Sequence, residues 1–347
     1  MKPLFYSDYL EGAHQRILDA LQESNLDQTP GYGEDKYCAE ARELIKEACA
    51  APGADIHFLV GGTQTNATVI SSALKPYQGV LCASSGHIAV HETGAVEHTG
   101  HKALTLPAHD GKITAEQIAQ AVDGHFADPN FEHTVQPGMV YISFPTELGT
   151  IYSKEELESI SAVCRKRGIP LFIDGARLGY GLTCNKCELT LQDIARLADV
   201  FYIGGTKQGA LFGEAVVITK DSLKPYFRYN IKQNGGMLAK GRLLGIQFAE
   251  LFRDGLYFEI AKGANAQAEK VRAALVNNGF ELFGTSPTNQ VFTVMDDCQM
   301  AALDEKIGFE FWEKTPDGRS VIRICTSWAT TDEQVKTVTD ALCELQH

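Results

Sequence analysis

Pro170-Leu-Phe-Ile-Asp174-Gly-Ala-Arg177 and, after a helical stretch at Leu191–Leu197, Val200-Phe-Tyr-Ile-Gly204-Gly205-Thr206-Lys207 decide the fold. Each begins with a short, continuous apolar run and ends in a glycine turn. A run that is apolar on both faces fits a strand of a parallel sheet covered on both sides, and the helix between two such runs is the crossover that parallel strands need. The chemistry sits just past the strand ends, with Asp174 closing one run and Lys207 following the turn after the other. The crevice at the carboxyl ends of strands is where open α/β sheets bind ligands.

The same alternation extends outward. Apolar runs at Ile56–Val60, Gly79–Ala83 and Val140–Phe144 read as further strands, and Ala67–Leu74, Ala115–Val122 and Lys154–Lys166 as helices between them. Helical spacing also covers Gln15–Glu23 and Ala39–Ala50, with a turn-rich stretch at Thr29–Asp35. Beyond Lys220 the rhythm changes. Helices at Leu238–Phe252 and Ala264–Asn277, strands near Asn289–Met295 and Ser320–Ile324, and a last helix from Asp332 make a smaller α+β unit. The expected division is an N-terminal arm at 1–20, a large domain at 21–240 with a mostly parallel sheet, and a small domain at 241–347.

The 347 residues are 44% apolar and 22% charged, an ordinary globular composition. A net charge of −13 repels polyanions, so nucleic acid and acidic membrane surfaces are excluded as partners. No apolar run approaches the length of a membrane span, and the N-terminus lacks a signal-peptide pattern; a cytoplasmic location is expected. The nine scattered cysteines fit a reducing compartment, and Cys184-Asn-Lys-Cys187, with no second pair or histidine to complete a zinc site, reads as a loop with two thiols.

Two further motifs precede the opening pair. Phe58-Leu-Val-Gly61-Gly62-Thr63-Gln-Thr-Asn66 runs from strand through glycines into helix, and free N–H groups at a helix start make a phosphate cup. Ser85-Gly86-His87-Ile-Ala-Val-His91-Glu92 offers an imidazole that can stack on a flat ring; a metal reading of His87 and His91 has no third ligand fixed by spacing. Phosphate cup, stacking ring, strand-end Asp174 and post-strand Lys207 are, in this order, the parts of a pyridoxal phosphate site. A carboxylate can keep a pyridine nitrogen protonated, a lysine can form an imine, and Arg177 can fork onto a carboxylate.

On these residues the chain resembles the L-threonine aldolase family, pyridoxal phosphate enzymes of the aspartate aminotransferase fold (fold type I). The resemblance rests on Ser7-Asp8, Tyr32-Gly-Glu-Asp35, Gly62-Thr-Gln-Thr-Asn66, Gly86-His87-Ile88 with Glu92-Thr-Gly94, Asp174-Gly-Ala-Arg-Leu178, Thr206-Lys207, Gly235-Gly-Met237 and Arg323-Ile-Cys-Thr-Ser-Trp328. It implies that Lys207 carries the cofactor, His87 stacks on its ring and Asp174 pairs with its pyridine nitrogen. Gly62, Thr63 and Thr206 would bind cofactor, while Ser7, Arg177 and Arg323 would grip the substrate carboxylate. Tyr32 would lie where subunits of a dimer or tetramer share active sites.

Two departures from the family pattern stand out. Where the family has Glu-Asn-Thr-His, the chain reads Ser143-Phe-Pro-Thr-Glu147, and Gly-Gly-Met is followed by Leu238, leaving Lys240 or Arg242 to reach a neighbour's phosphate. The implied reaction is retro-aldol cleavage of L-threonine, L-allo-threonine or a related β-hydroxy-α-amino acid to glycine and an aldehyde. The base is His87, His91 or a water held by Glu147, with the histidines ranked first because imidazole titrates near neutral pH. Alternatives are a phenylserine aldolase, a β-eliminating lyase or aminotransferase, and a non-catalytic pyridoxal phosphate protein.

Overall fold

The computed structural model describes residues 2–345. Its twelve strands are β1 (Leu4–Phe5), β2 (Asp55–Leu59), β3 (Gln78–Ala83), β4 (Ala103–Leu106), β5 (Gln136–Ser143), β6 (Leu171–Asp174), β7 (Val200–Gly204), β8 (Glu214–Ile218), β9 (Glu281–Leu282), β10 (Gln290–Met295), β11 (Gly308–Lys314) and β12 (Ser320–Cys325). They form a seven-stranded sheet ordered β2-β8-β7-β6-β5-β3-β4 and a five-stranded sheet ordered β1-β11-β12-β10-β9. In the larger sheet β7, β6, β5, β3 and β4 run parallel, while β8 is antiparallel to both β2 and β7. The expectation of a mostly parallel sheet holds.

Alternation along the central strands builds two cores at once. Val140, Ile142, Leu171, Ile173, Phe201 and Ile203 face one helical layer. Met139, Tyr141, Phe172, Val200 and Tyr202 face the other. Burial on both faces is why these runs read as continuously apolar. The covering helices carry explicit start signals: Thr114 and Ser153 each close a capping box, with Gln117 and Glu156.

The helix after Met237 runs Arg242–Phe252 and buries Leu244, Phe248 and Leu251 in the core of the larger sheet. The next, Leu256–Asn277, starts in that core at Tyr257 and ends in the second core through Ala268, Val271 and Leu275. The N-terminal segment closes the arrangement, because β1 pairs in parallel with β11 of the smaller sheet. That contact brings residues 6–9 back towards the ends of β5, β6 and β7. Among the described residues no helix is long and apolar enough to cross a membrane.

Candidate active site

A cleft of ≈330 Å³ opens at the carboxyl ends of β5, β6 and β7. Its walls include Gly61, Gly62 and Thr63 from the start of the helix Gly62–Ala73, then His87, Glu147, Asp174, Arg177, Thr206, Lys207 and Glu214, with Tyr9 at the rim. The four motifs separated by some 150 residues of sequence thus meet in one place.

Asp174 is the best-held residue of the cleft. Tyr141 and Tyr202 donate to its two carboxylate oxygens, each at 2.5 Å, the Ala176 N–H donates at 3.0 Å and Asn66 Nδ2 at 3.1 Å. The tyrosines reach it because Tyr141, Phe172 and Tyr202 lie side by side on three adjacent strands, with Asp174 two residues past Phe172 on the same face. Burial opposes the charge, but His87 and the two phenols outweigh it and hold the carboxyl below its ordinary value. The turn after β6 runs so close to β7 that a Cβ on Gly175 would lie 1.9 Å from the Tyr202 carbonyl oxygen. The glycine after the aspartate is therefore a steric requirement.

His87 lies over the same cleft. Its Nδ1 is 2.7 Å from Glu92 Oε1, which also accepts from Asn66 Nδ2 at 2.7 Å, so an unbroken chain links His87, Glu92, Asn66 and Asp174. The backbone N–H of His87 and the Ser143 hydroxyl both donate to Glu147 Oε1, at 2.8 Å and 2.7 Å. Burial pushes the Glu147 carboxyl above its ordinary value, with Asp174 adding to the shift and those hydrogen bonds opposing it.

Arg177 lines the cleft as an arginine already paired. Its Nε and Nη2 are already forked onto Asp8, at 2.8 Å and 2.9 Å, and Asn289 Nδ2 adds a third bond to the Asp8 carboxylate at 2.9 Å. Both Nη1 hydrogens and the second Nη2 hydrogen remain for a ligand. Asp8 is wholly buried, and although burial works against its charge, Arg177, Lys207 and Asn289 together keep it below the ordinary carboxylate value. Lys207 reaches the cleft with its backbone held by Tyr180, whose hydroxyl donates to the Lys207 carbonyl at 2.6 Å. Burial, then the charge of Arg177, lower its amine below the ordinary lysine value, against the pull of Asp8, Asp174 and Glu214.

Other expected residues lie apart from the cleft. His91 packs against His87 and Trp312, at ring-centroid distances of 5.5 Å and 6.4 Å, and is not among the lining residues. Arg323 is buried and directs its guanidinium to Gln290 Oε1 and the Tyr6 carbonyl, stacking 5.4 Å from the Trp312 ring. Ser7 is buried beside Asp8. Tyr32 lines a separate small cleft with Arg42, His57 and Arg228. Lys240 is exposed and, within one chain, off the cleft. Arg242 donates within its own chain, to the carbonyls of Ser24, Asn25 and Asp27 at the end of the helix Gln15–Glu23. Thr206, by contrast, lines the cleft, and its hydroxyl donates to Glu214 Oε1 at 3.0 Å. Asp8, Glu92, Tyr141, Tyr202 and Glu214 were given no role by the sequence reading.

The profile of the beta-eliminating lyase family matches residues 5–299. The chain belongs to that family. A low specificity L-threonine aldolase from Pseudomonas sp. is 31% identical over 342 residues, covering 96% of this chain and 94% of the relative. The solved structure of Leishmania major threonine aldolase superposes with a TM-score of 0.97 at 45% identity, covering 99% of this chain and 100% of that one. A mutant aspartate aminotransferase of Thermus thermophilus, 13% identical, covers 99% of this chain and 91% of its own with a TM-score of 0.72, which identifies the fold as fold type I.

The cleft of this family member fits pyridoxal phosphate. The helix start at Gly61–Thr63 points free N–H groups at one end, and a Cβ on Gly62 would crowd the Tyr202 hydroxyl at 3.1 Å. An ionised carboxylate stands in the middle at Asp174, and an amine held below its ordinary basicity stands at Lys207.

Proposed function

We propose that this lyase uses pyridoxal phosphate to cleave the Cα–Cβ bond of L-threonine, L-allo-threonine or a related β-hydroxy-α-amino acid, releasing glycine and an aldehyde. The observation that carries the reading is the meeting of Lys207, Asp174, His87 and the Gly61–Thr63 helix start in one cleft. The names of the relatives above support it. When bound, the cofactor supplies an aldehyde for the substrate amine and a protonated ring that withdraws the electrons left on Cα.

The residues divide the work. Gly61, Gly62 and Thr63 bind the phosphate, and Asp174 holds a proton on the pyridine nitrogen. His87 covers the ring, its plane fixed through Nδ1 by Glu92. Arg177 Nη1 orients the substrate carboxylate, while Asp8 keeps the guanidinium from turning. Glu147 takes the β-hydroxyl proton. It lines the cleft where His91 does not, and a carboxyl raised by burial is closer to the working pH of a general base. Lys207, whose amine lies in the same cleft, would return a proton to Cα. We further assign the enzyme to the cytoplasm as a homo-oligomer, a dimer or homotetramer with shared active sites, in which exposed Lys240 is the cation placed to reach a neighbouring chain.

The test supplies L-threonine to the enzyme saturated with pyridoxal phosphate and follows acetaldehyde through a coupled alcohol dehydrogenase. Lys207→Ala should abolish release. Glu147→Gln should lower kcat by ~10²–10⁴-fold, the usual contribution of a placed proton-transfer group. His91→Asn should have a small effect. Full activity in Glu147→Gln would move the base assignment to His87, and activity in Lys207→Ala would refute the cofactor reading.

A further inference from the structure

Asn66 has no task in the mechanism above, yet it stands between the two carboxylates on which that mechanism depends. It lies one turn into the helix Gly62–Ala73, on the face of Gly62, and is wholly buried. Its Nδ2 donates to Glu92 Oε1 at 2.7 Å and to Asp174 Oδ2 at 3.1 Å. A carboxamide nitrogen carries two hydrogens, so this one group spends its whole donor capacity on two acceptors; a serine or threonine in its place would offer one hydrogen. Both partners are carboxylates, which fixes which end of the amide is nitrogen. On the other side, Asn66 Oδ1 and Glu92 Oε2 are buried with no partner among the described residues. The amide is therefore aimed by its two donor bonds, and the Glu92 carboxylate by Asn66 and His87. Without the amide, two buried carboxylates within two hydrogen-bond lengths of each other would have nothing between them, and like charges so placed repel.

We propose that Asn66 is a positioning residue that ties Asp174 and His87 into one frame for the cofactor ring. One hydrogen steadies the Asp174 carboxylate; the other steadies Glu92 and, through it, the plane of the His87 imidazole. The inference rests on the cofactor reading above. The two groups need such a tie because they come from separate elements. Asp174 ends β6, whereas His87 opens the short helix His87–Val90 after β3, and β5 lies between those strands. No ladder of the sheet therefore sets one against the other. Glu147 braces the His87 backbone N–H, but the hydrogen bond to the His87 ring is the one with Glu92. Asn66 closes the path from that ring to Asp174, and it does so from the same helix whose first residues line the cleft. Groups that face a ligand are held in productive geometry by bonds of this kind, one residue behind them.

Wild type, Asn66→Ala, Glu92→Ala and the double variant, each stripped of cofactor, are titrated with pyridoxal phosphate. Intrinsic fluorescence reads the Kd, and visible circular dichroism reads how the bound ring is seated. Losing a hydrogen bond to a charged group weakens an interaction by ~10-fold or more, so Kd should rise about tenfold in Asn66→Ala, with a smaller ellipticity per bound cofactor. Glu92→Ala should do the same. Because both act through one path, the double variant should stay near a tenfold loss, whereas independent effects would multiply to about a hundredfold. Asn66→Ser, which keeps at most one donor, should match Asn66→Ala and replaces it if the alanine variant does not fold. Wild-type Kd and ellipticity in these Asn66 variants, whatever their Tm, would reduce Asn66 to a packing residue and overturn the proposal, as would multiplied losses in the double variant. Failure of wild type to bind pyridoxal phosphate overturns instead the cofactor reading beneath it.

Discussion

Replacing Asp8 by Asn keeps the shape of the side chain and removes the charge that Arg177 is forked onto. The pair is well shielded, with side-chain exposures of 0% for Asp8 and 14% for Arg177, and it carries two direct bonds plus the third from Asn289. Breaking a buried ion pair from one side costs about 3–5 kcal/mol, because the partner charge stays behind. Arg177 borders the cleft and an asparagine oxygen still accepts one bond, so the lower end, about 3 kcal/mol, applies here. Unfolding entropy of about 2.1 cal/mol/K per residue over this chain is about 0.7 kcal/mol/K, which makes the expected loss about 4 °C in Tm. The pH dependence adds a second signature. Asp8 has a folded pKa below its ordinary 3.8, so its contribution is fully present above that value and lost as pH falls through the folded one. The gap in Tm between wild type and variant should therefore be constant from pH 7 to 5 and close on further acidification. Differential scanning calorimetry of the cofactor-free proteins at several pH values measures both. Equal Tm at pH 7, or a gap that persists below the folded pKa, would refute the assignment of Asp8 as the ionised partner of Arg177.

Three other outcomes follow from the same geometry. Gly175→Ala sets a Cβ 1.9 Å from the Tyr202 carbonyl, backbone against backbone, and should cost at least the ~1–3 kcal/mol of an overpacked core, seen as a lowered Tm or as insoluble protein. Tyr202→Phe removes one of the two phenols on Asp174. Bonds to charged groups contribute about 1.5–3 kcal/mol, so a Tm lower by about 2–4 °C is expected, and an unchanged Tm would show the bond to be idle. Arg242→Ala removes the donors to three helix-end carbonyls and should lower Tm while leaving affinity for pyridoxal phosphate unchanged in a fluorescence titration; weakened cofactor binding with unchanged Tm would return Arg242 to the phosphate.

Much of the larger sheet was legible because its signals are local. Strands buried on both faces declare themselves as apolar runs, and the glycines that follow mark where the chain turns. The helices Gln15–Glu23 and Leu191–Leu197 begin and end where the apolar spacing places them. What the reading left out is the exception to each rule. β8 opens with buried Glu214 and is antiparallel inside an otherwise parallel sheet, while β4 is short and only half-buried. The short β1 gains its pairing only from β11, some 300 residues away, a contact no window of sequence contains.

The site divides in the same way, and the division follows charge compensation. Lys207, Asp174 and His87 stand beside glycine turns at strand ends, where a reader of the sequence looks first. Their partners do not: Tyr141 and Tyr202 are hidden inside apolar strands, and become recognisable only once adjacent strands are set in register with Ser143 opposite Asp174. Arg177 was legible as a carboxylate-binding arginine, but Asp8 lies 169 residues earlier and claims two of its three nitrogens. A buried ion must be paired, so each functional charge read from a motif implies an unread partner elsewhere in the chain. The departure at Glu147 follows that logic. A carboxylate there needs donors to be tolerated, and Ser143 and the His87 N–H supply them. The same two donors fix its position in the cleft, so the substitution that casts doubt on a histidine base also builds the means for a carboxylate to replace it.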